Sequence, residues 1–214
     1  MLAKTKAFTL SGLKGEKIDV EIDVSNGKPS VTVVGLPDAT VKESIERVTS
    51  AIKNSGFYFP ERKIVINLAP ANIKKEGTMF DLAMAIGIMV ASEQILARDL
   101  KDFVFLGELS LDGRLRDING MLPLLISARD AGEKRFIIPS GNIGEASFIE
   151  GIEVYTLNSL KDVVLFLKGE KVFQPVELKT WTMSDGVMTE DFSRVRGQKR
   201  AKRAMEIAVA GGHN

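Results

Sequence analysis

The sequence has 214 residues, 44% of them hydrophobic and 27% charged, enough apolar chain for one large core and an appendage. It contains no cysteine, which excludes disulfides and thiolate-ligated zinc and is compatible with a reducing cytosol, so a cytoplasmic location is expected. Lys and Arg number 29 against 28 Asp and Glu, but the formal charge of +1 hides an asymmetry: residues 191–214 hold six basic and two acidic side chains, leaving residues 1–190 with 23 and 26. That difference in electrostatic character marks a boundary near residue 190.

The opening Met1-Leu2-Ala3-Lys4-Thr5-Lys6 leads into alternating sequence and not into an apolar leader. The longest apolar run, Leu82 to Ala91, is about half of what crosses a bilayer, so no membrane partner is expected. Apolar residues alternate from Lys4 to Leu10 and from Glu16 to Val24, most regularly at Ile18, Val20, Ile22 and Val24, which predicts two half-buried strands. Ser25-Asn26-Gly27-Lys28-Pro29 has turn chemistry and Ser30 to Val34 resumes as a strand, so the spacing predicts an antiparallel meander.

Gly35-Leu36-Pro37-Asp38 interrupts this pattern, with Asp38 placed to cap a helix whose apolar residues are Val41, Ile45, Val48 and Ile52. Asn54-Ser55-Gly56 ends the helix, and Lys63 to Leu68, rich in Ile and Val, is the next strand. A Pro- and Gly-marked loop then leads to a helix that is apolar on nearly every side from Leu82 to Val90 and therefore central, with Asp81 as its expected cap.

Beyond it, a strand over 103–109 and its return over 114–118 flank Asp112-Gly113. Helices over 120–131, 141–149 and 159–167 then alternate with strands over 135–139 and 153–157. The class is α/β (α+β), a sheet covered by helices. Lys168 to Glu190 loses periodicity and reads as a linker that docks through Phe173 and Trp181. Val195-Arg196-Gly197-Gln198 then precede a helix from Lys199 to Ala210, ended by Gly211-Gly212.

Hydrolytic catalysis needs a nucleophile with a base in reach. The single histidine, His213, has no candidate partner and reads as a turn residue, and without Cys or a second His no metal set is expected. A Ser-Lys dyad remains. Lys75-Glu76-Gly77-Thr78-Met79-Phe80-Asp81 resembles the nucleophile loop of the Lon-type protease domain, and Ile118-Asn119-Gly120-Met121-Leu122 with Ser127 to Gly132 resembles the segment bearing that family's lysine. The resemblance puts the serine position at Met79 and the lysine position at Leu122, and neither side chain can ionise or attack. Thr78 and Lys74 or Lys75 are substitutes only if a shift of one or more positions still aims them correctly, and such shifts redirect a side chain. No catalytic residue is expected.

A closer resemblance covers nearly the whole chain. Val33-Val34-Gly35-Leu36-Pro37-Asp38, Lys42-Glu43-Ser44, Asn67-Leu68-Ala69-Pro70-Ala71, Lys75-Glu76-Gly77, Phe80-Asp81-Leu82, Gly107-Glu108-Leu109 and Gly211-Gly212-His213-Asn214 resemble the N-terminal region of magnesium-chelatase-like AAA+ ATPases of the ComM/YifB type. Departures from that pattern fall at Asn72-Ile73-Lys74 and Ala83. The resemblance implies a catalytically inactive Lon-like domain over 1–170 with a left-handed βαβ crossover, a linker over 171–190, and the truncated start of an AAA+ module over 191–214. It also implies that Val195, Arg196, Gly197 and Gln198 form part of an adenine pocket. No Gly-x-x-x-x-Gly-Lys-Ser/Thr occurs, so this chain is expected to hold no nucleotide tightly.

The same resemblance implies that the parent protein uses ATP and magnesium, assembles as a hexameric ring and acts on DNA as a branch-migration helicase. The alternatives are a metal-insertion chaperone ATPase like the magnesium-chelatase motor, and a stand-alone interaction module. Arg194, Arg196, Lys199, Arg200, Lys202 and Arg203 read as a solvated helix face in preference to a DNA contact, since no aromatic residue interleaves them.

Overall fold

A computed structural model describes residues 1–12, 14–100, 102–179 and 192–212. The chain divides into two compact units, Met1–Lys179 and Thr180–Asn214.

The first unit is built on a long hairpin. Strand β1 (Leu2–Ser11) runs antiparallel to β2 (Lys14–Ser25), in register from Leu2 opposite Asp23 to Ser11 opposite Lys14. The alternation read in the sequence is realised: Ile18, Val20, Ile22 and Val24 are buried and the residues between them face outward. After β2 come β3 (Ser30–Val34), helix α1 (Ala39–Asn54) and β4 (Lys63–Ala69).

The expected meander is corrected here. Strand β3 does not pair with β2; β4 lies between them, antiparallel to β2 and parallel to β3. The reason lies in burial. Ile64, Ile66 and Leu68 of β4 are fully buried, whereas Val31 and Val33 of β3 are only half-buried, so the more apolar strand takes the interior place. Joining parallel neighbours requires a crossover, which α1 supplies. It covers the sheet with Val41, Val48, Ala51 and Ile52 and is capped as its sequence predicts, Val41 N–H donating to Asp38 Oδ1 at 2.8 Å.

Helix α2 (Asp81–Ala91) is buried at every residue, as expected for a central helix. Its cap is a correction: Phe80 holds the N-cap position with no side-chain hydrogen bond, and Asp81 is already the first helical residue. A second correction concerns 103–109, which is two strands. Strand β5 (Phe103–Phe105) belongs to the main sheet, and β6 (Glu108–Leu109) leaves it to pair with β7 (Leu115–Arg116). The break falls at Gly107, where a Cβ would lie 2.9 Å from Leu115 Cδ2 and 3.1 Å from Pro139 Cγ.

Helix α3 (Met121–Asp130), β8 (Arg135–Pro139), α4 (Ile143–Ala146), β9 (Glu153–Leu157) and α5 (Leu160–Leu167) complete the unit, and Ser159 caps α5 through Asp162 N–H at 3.1 Å. The sheet order is β3-β4-β2-β1-β5-β8-β9, with all pairings parallel except β1 with β2 and β2 with β4. This is a mixed α/β fold whose mostly parallel sheet is flanked by helices. Past α5, Phe173 stacks edge-on against Phe166 with centroids 5.9 Å apart, and Val176 N–H donates to Val154 O at 2.7 Å, so part of the expected linker sheathes β9. Trp181, the other expected anchor, lies outside the described residues.

In the second unit a single 3-10 turn (Phe192–Arg194) precedes helix α6 (Lys199–Ala210), which buries none of its residues.

Candidate functional site

The corner between β4 and α2 is where the sequence places a Lon-like catalytic loop. It starts at a cis Ala69–Pro70 peptide and is fastened to the Gly35–Asp38 loop by backbone bonds, Lys75 N–H to Leu36 O at 3.2 Å and Asp38 N–H to Lys75 O at 3.1 Å. Gly35 permits the approach: its φ is +98°, and a Cβ there would lie 2.2 Å from Leu68 O. Asp38 therefore serves two elements, capping α1 with its carboxylate and gripping the corner with its backbone.

Two charged groups are buried in this corner. Lys75 is fully buried and its ammonium donates to Pro70 O, and burial pushes its pKa below the ordinary lysine value. Asp81 is fully buried too. Arg47 of α1 approaches it in a fork, Nε to Oδ2 at 2.9 Å and Nη2 to Oδ1 at 3.3 Å, and Leu109 N–H donates to Oδ2 at 3.2 Å. Burial pushes the Asp81 carboxyl above its ordinary value against the opposing pull of Arg47 and Ser44. One carboxylate thus ties α1, α2 and β6 together.

Met79 is half-buried against the core, and its carbonyl accepts from Gly107 N–H at 3.1 Å. Leu122 stands in the first turn of α3, 38% exposed, with its N–H on Glu145 Oε1 at 3.2 Å. The two positions assigned to nucleophile and base therefore present a thioether and an alkyl group. The substitutes are engaged elsewhere: Thr78 Oγ1 donates to Glu108 Oε2 at 2.7 Å, Lys75 points at a backbone carbonyl, and Lys74 is exposed and paired with Glu76. The corner can hold a shape and join three elements.

Val195, Arg196, Gly197 and Gln198 are all exposed, with Gly197 at φ +72° and Gln198 at φ +51° in the turn before α6. No glycine-rich phosphate cradle accompanies them in these 214 residues. His213 lies outside the described residues. Among the described residues no three His, Cys, Asp or Glu side chains gather as a metal set.

The sequence reading missed the Arg47–Asp81 fork and the burial of Lys75. An Arg on the otherwise charged outer face of α1 and a Lys inside the run Lys74-Lys75-Glu76 look solvated, and only tertiary packing separates them from their neighbours.

The family model described as subunit ChlI of Mg-chelatase matches residues 20–142, and that described as magnesium chelatase, subunit ChlI, matches residues 191–214. The chain belongs to the Mg-chelatase ChlI family. Within it, the chain is of the ComM/YifB type: it is 43% identical over 206 residues to competence protein ComM of Haemophilus influenzae, covering 95% of this chain and 40% of that protein. It is 40% identical over 203 residues to YifB of Salmonella typhimurium, with the same coverage of 95% and 40%. Lon protease 2 of Bacillus subtilis is a more distant relative, 26% identical over 163 residues, 69% of this chain and 29% of that one. The chain thus spans about 40% of the length of the ComM and YifB relatives.

Proposed function

We propose that this chain is the N-terminal, non-catalytic part of an ATP-driven AAA+ motor that moves DNA branches during natural transformation and recombination. The similarity to competence protein ComM over 95% of the chain carries the reading, and the separate match at 191–214 supports a second module beginning there. In this reading residues 1–170 are the Lon-like domain, 171–190 a connection and 191–214 the start of the AAA+ module. Val195 to Gln198 would line the adenine side of a pocket, and ATP, magnesium and ring assembly, as a hexamer, belong to the longer protein in the cytoplasm. No hydrolytic step is assigned to residues of this chain.

The test pairs two preparations. Residues 1–214 should neither retain ATP nor turn it over, whereas the full-length protein should hydrolyse ATP and unwind forked DNA. Turnover by residues 1–214 that survives repurification would overturn the first part, and a full-length protein without strand exchange the second. The name of the matching family favours a second reading, a motor for metal insertion. It predicts ATPase stimulation by a porphyrin-chelating partner and no DNA unwinding. If the first unit instead regulates ring assembly as an interaction module, deleting residues 1–170 should abolish hexamers.

A further inference from the structure

The Lon-like corner lies at one end of the sheet. At the opposite end, where β3 and β4 begin and β2 finishes, the chain carries four cations, Lys28, Lys53, Arg62 and Lys63. Lys63 is in register with both Ser25 and Ser30, and a Cβ at Gly27 would lie 3.4 Å from Lys63 Cβ, so Lys28 follows directly beside it. Arg62 is joined there by Ser30 N–H donating to its carbonyl at 3.3 Å. Lys53 closes α1 with its ammonium 6.0 Å from the centre of the Phe59 ring. All four are exposed, and none makes an ion pair with a described residue. In a stretch, 1–190, that carries more acidic than basic residues, this is a local excess of positive charge, with Asp23, Glu61 and Glu93 as its acidic neighbours.

An aromatic ring stands at the same end, beside Arg62 and on the Val24 face of the sheet, from which an extended ligand passing round the sheet end reaches Lys63 on the other face. Tyr58 is 59% exposed, yet it is held: its N–H donates to Gln94 Oε1 at 3.0 Å, its carbonyl accepts from Gln94 Nε2 at 2.7 Å, and its hydroxyl accepts from Glu61 N–H at 3.3 Å. Arg62 and Tyr58 line one recess of about 230 Å³. A tyrosine fixed at both ends and open on its face is ready to stack a planar partner at little entropic loss. Cations that track a phosphate backbone beside an aromatic face are the two components of single-strand binding. An acidic peptide would use the cations and leave the ring without a role.

We infer that this end of the sheet binds single-stranded nucleic acid, with phosphates at Lys28, Lys53, Arg62 and Lys63 and a base stacked on Tyr58. The inference rests on the DNA reading above and adds a contact in the first unit.

The probe is a fluorescein-labelled 20-residue oligothymidylate, titrated with residues 1–214 by anisotropy over a NaCl series. Replacing Lys28, Arg62 and Lys63 together by Glu should weaken binding and reduce the log–log salt slope by about 2, as expected for three lost single-strand phosphate contacts. Tyr58→Ala should weaken binding about tenfold and leave the slope unchanged. Arg200→Glu with Arg203→Glu on α6 should change neither, and thermal melts should confirm that the variants fold. Loss of binding in the α6 variant with retention in the triple variant would overturn this site and leave the DNA reading standing. Absence of binding to the oligonucleotide, or stronger binding to poly-glutamate, would overturn the site as well. Strand exchange by the full-length protein, scored separately, tells the failure of this site from the failure of the proposed function.

Discussion

Arg47 and Asp81 lie 34 positions apart and meet as a forked ion pair, with the Asp81 carboxylate inaccessible to solvent and the Arg47 side chain 21% exposed. Removing one partner of a buried pair leaves an uncompensated charge. Arg47→Ala should therefore destabilise the first unit by about 3–5 kcal/mol. Asp81→Asn should cost less, about 1–3 kcal/mol, because Arg47 retains access to water and the amide can still accept from Leu109 N–H. Urea denaturation of the single and double variants measures both, and a double variant no worse than Arg47→Ala would establish the coupling.

Lys75 gives a pH signature with a definite sign. Its folded pKa lies below 10.5, so between that lowered value and 10.5 the unfolded chain binds more protons than the folded one. The contribution of this residue to stability therefore rises with pH through that window. Lys75→Met should remove the rise. The check is the urea midpoint of both proteins from pH 8 to 10.5: the wild-type midpoint should rise relative to that of Lys75→Met toward the alkaline end, and a difference independent of pH would refute the lowered pKa.

Two glycines should respond oppositely to alanine. At Gly35 the added Cβ meets the Leu68 carbonyl at 2.2 Å on a backbone with φ +98°, so Gly35→Ala should cost more than about 2 kcal/mol and loosen the Leu36–Lys75 fastening. Gly144, inside α4, has no atom within 4 Å of an added Cβ, and Gly144→Ala should stabilise by about 0.5–1 kcal/mol. Thermal melts of the two variants decide.

The cap of α5 is a simpler case. Ser159→Ala deletes the bond from Asp162 N–H and should lower stability by about 1 kcal/mol, and Ser159→Gly by only a few tenths of a kcal/mol, as read from denaturation midpoints.

What could be read in the sequence were the features that repeat locally. The alternation at Ile18 to Val24, the Asp38 cap and the apolar α2 each announce their element within a few residues, and all three stand in the structure. What could not be read depends on partners distant in sequence. The place of β4 between β2 and β3 follows from which strand buries its apolar face more completely, a comparison across the sheet and not along the chain. Asp81 looked like a cap because acidic residues favour helix starts, yet its carboxylate is claimed by Arg47 and Leu109. Lys74 and Lys75 are adjacent and alike, but one is exposed and the other buried, because the loop turns Lys75 inward when its backbone bonds to Leu36.

The strand order has a consequence for synthesis on the ribosome. By Ala69 the chain holds β1 to β4, one contiguous half of the sheet, whereas β5, the neighbour of β1 on its other side, begins only at Phe103. The two halves are sewn by one register pair, Lys6 with Val104. Until Phe103 emerges, the stretch of β1 around Lys6 that β5 will cover is an unpaired edge on a half-formed protein, open to the same strand of a neighbouring nascent chain. Translation pace between Ala69 and Phe103 thus sets how long that hazard lasts.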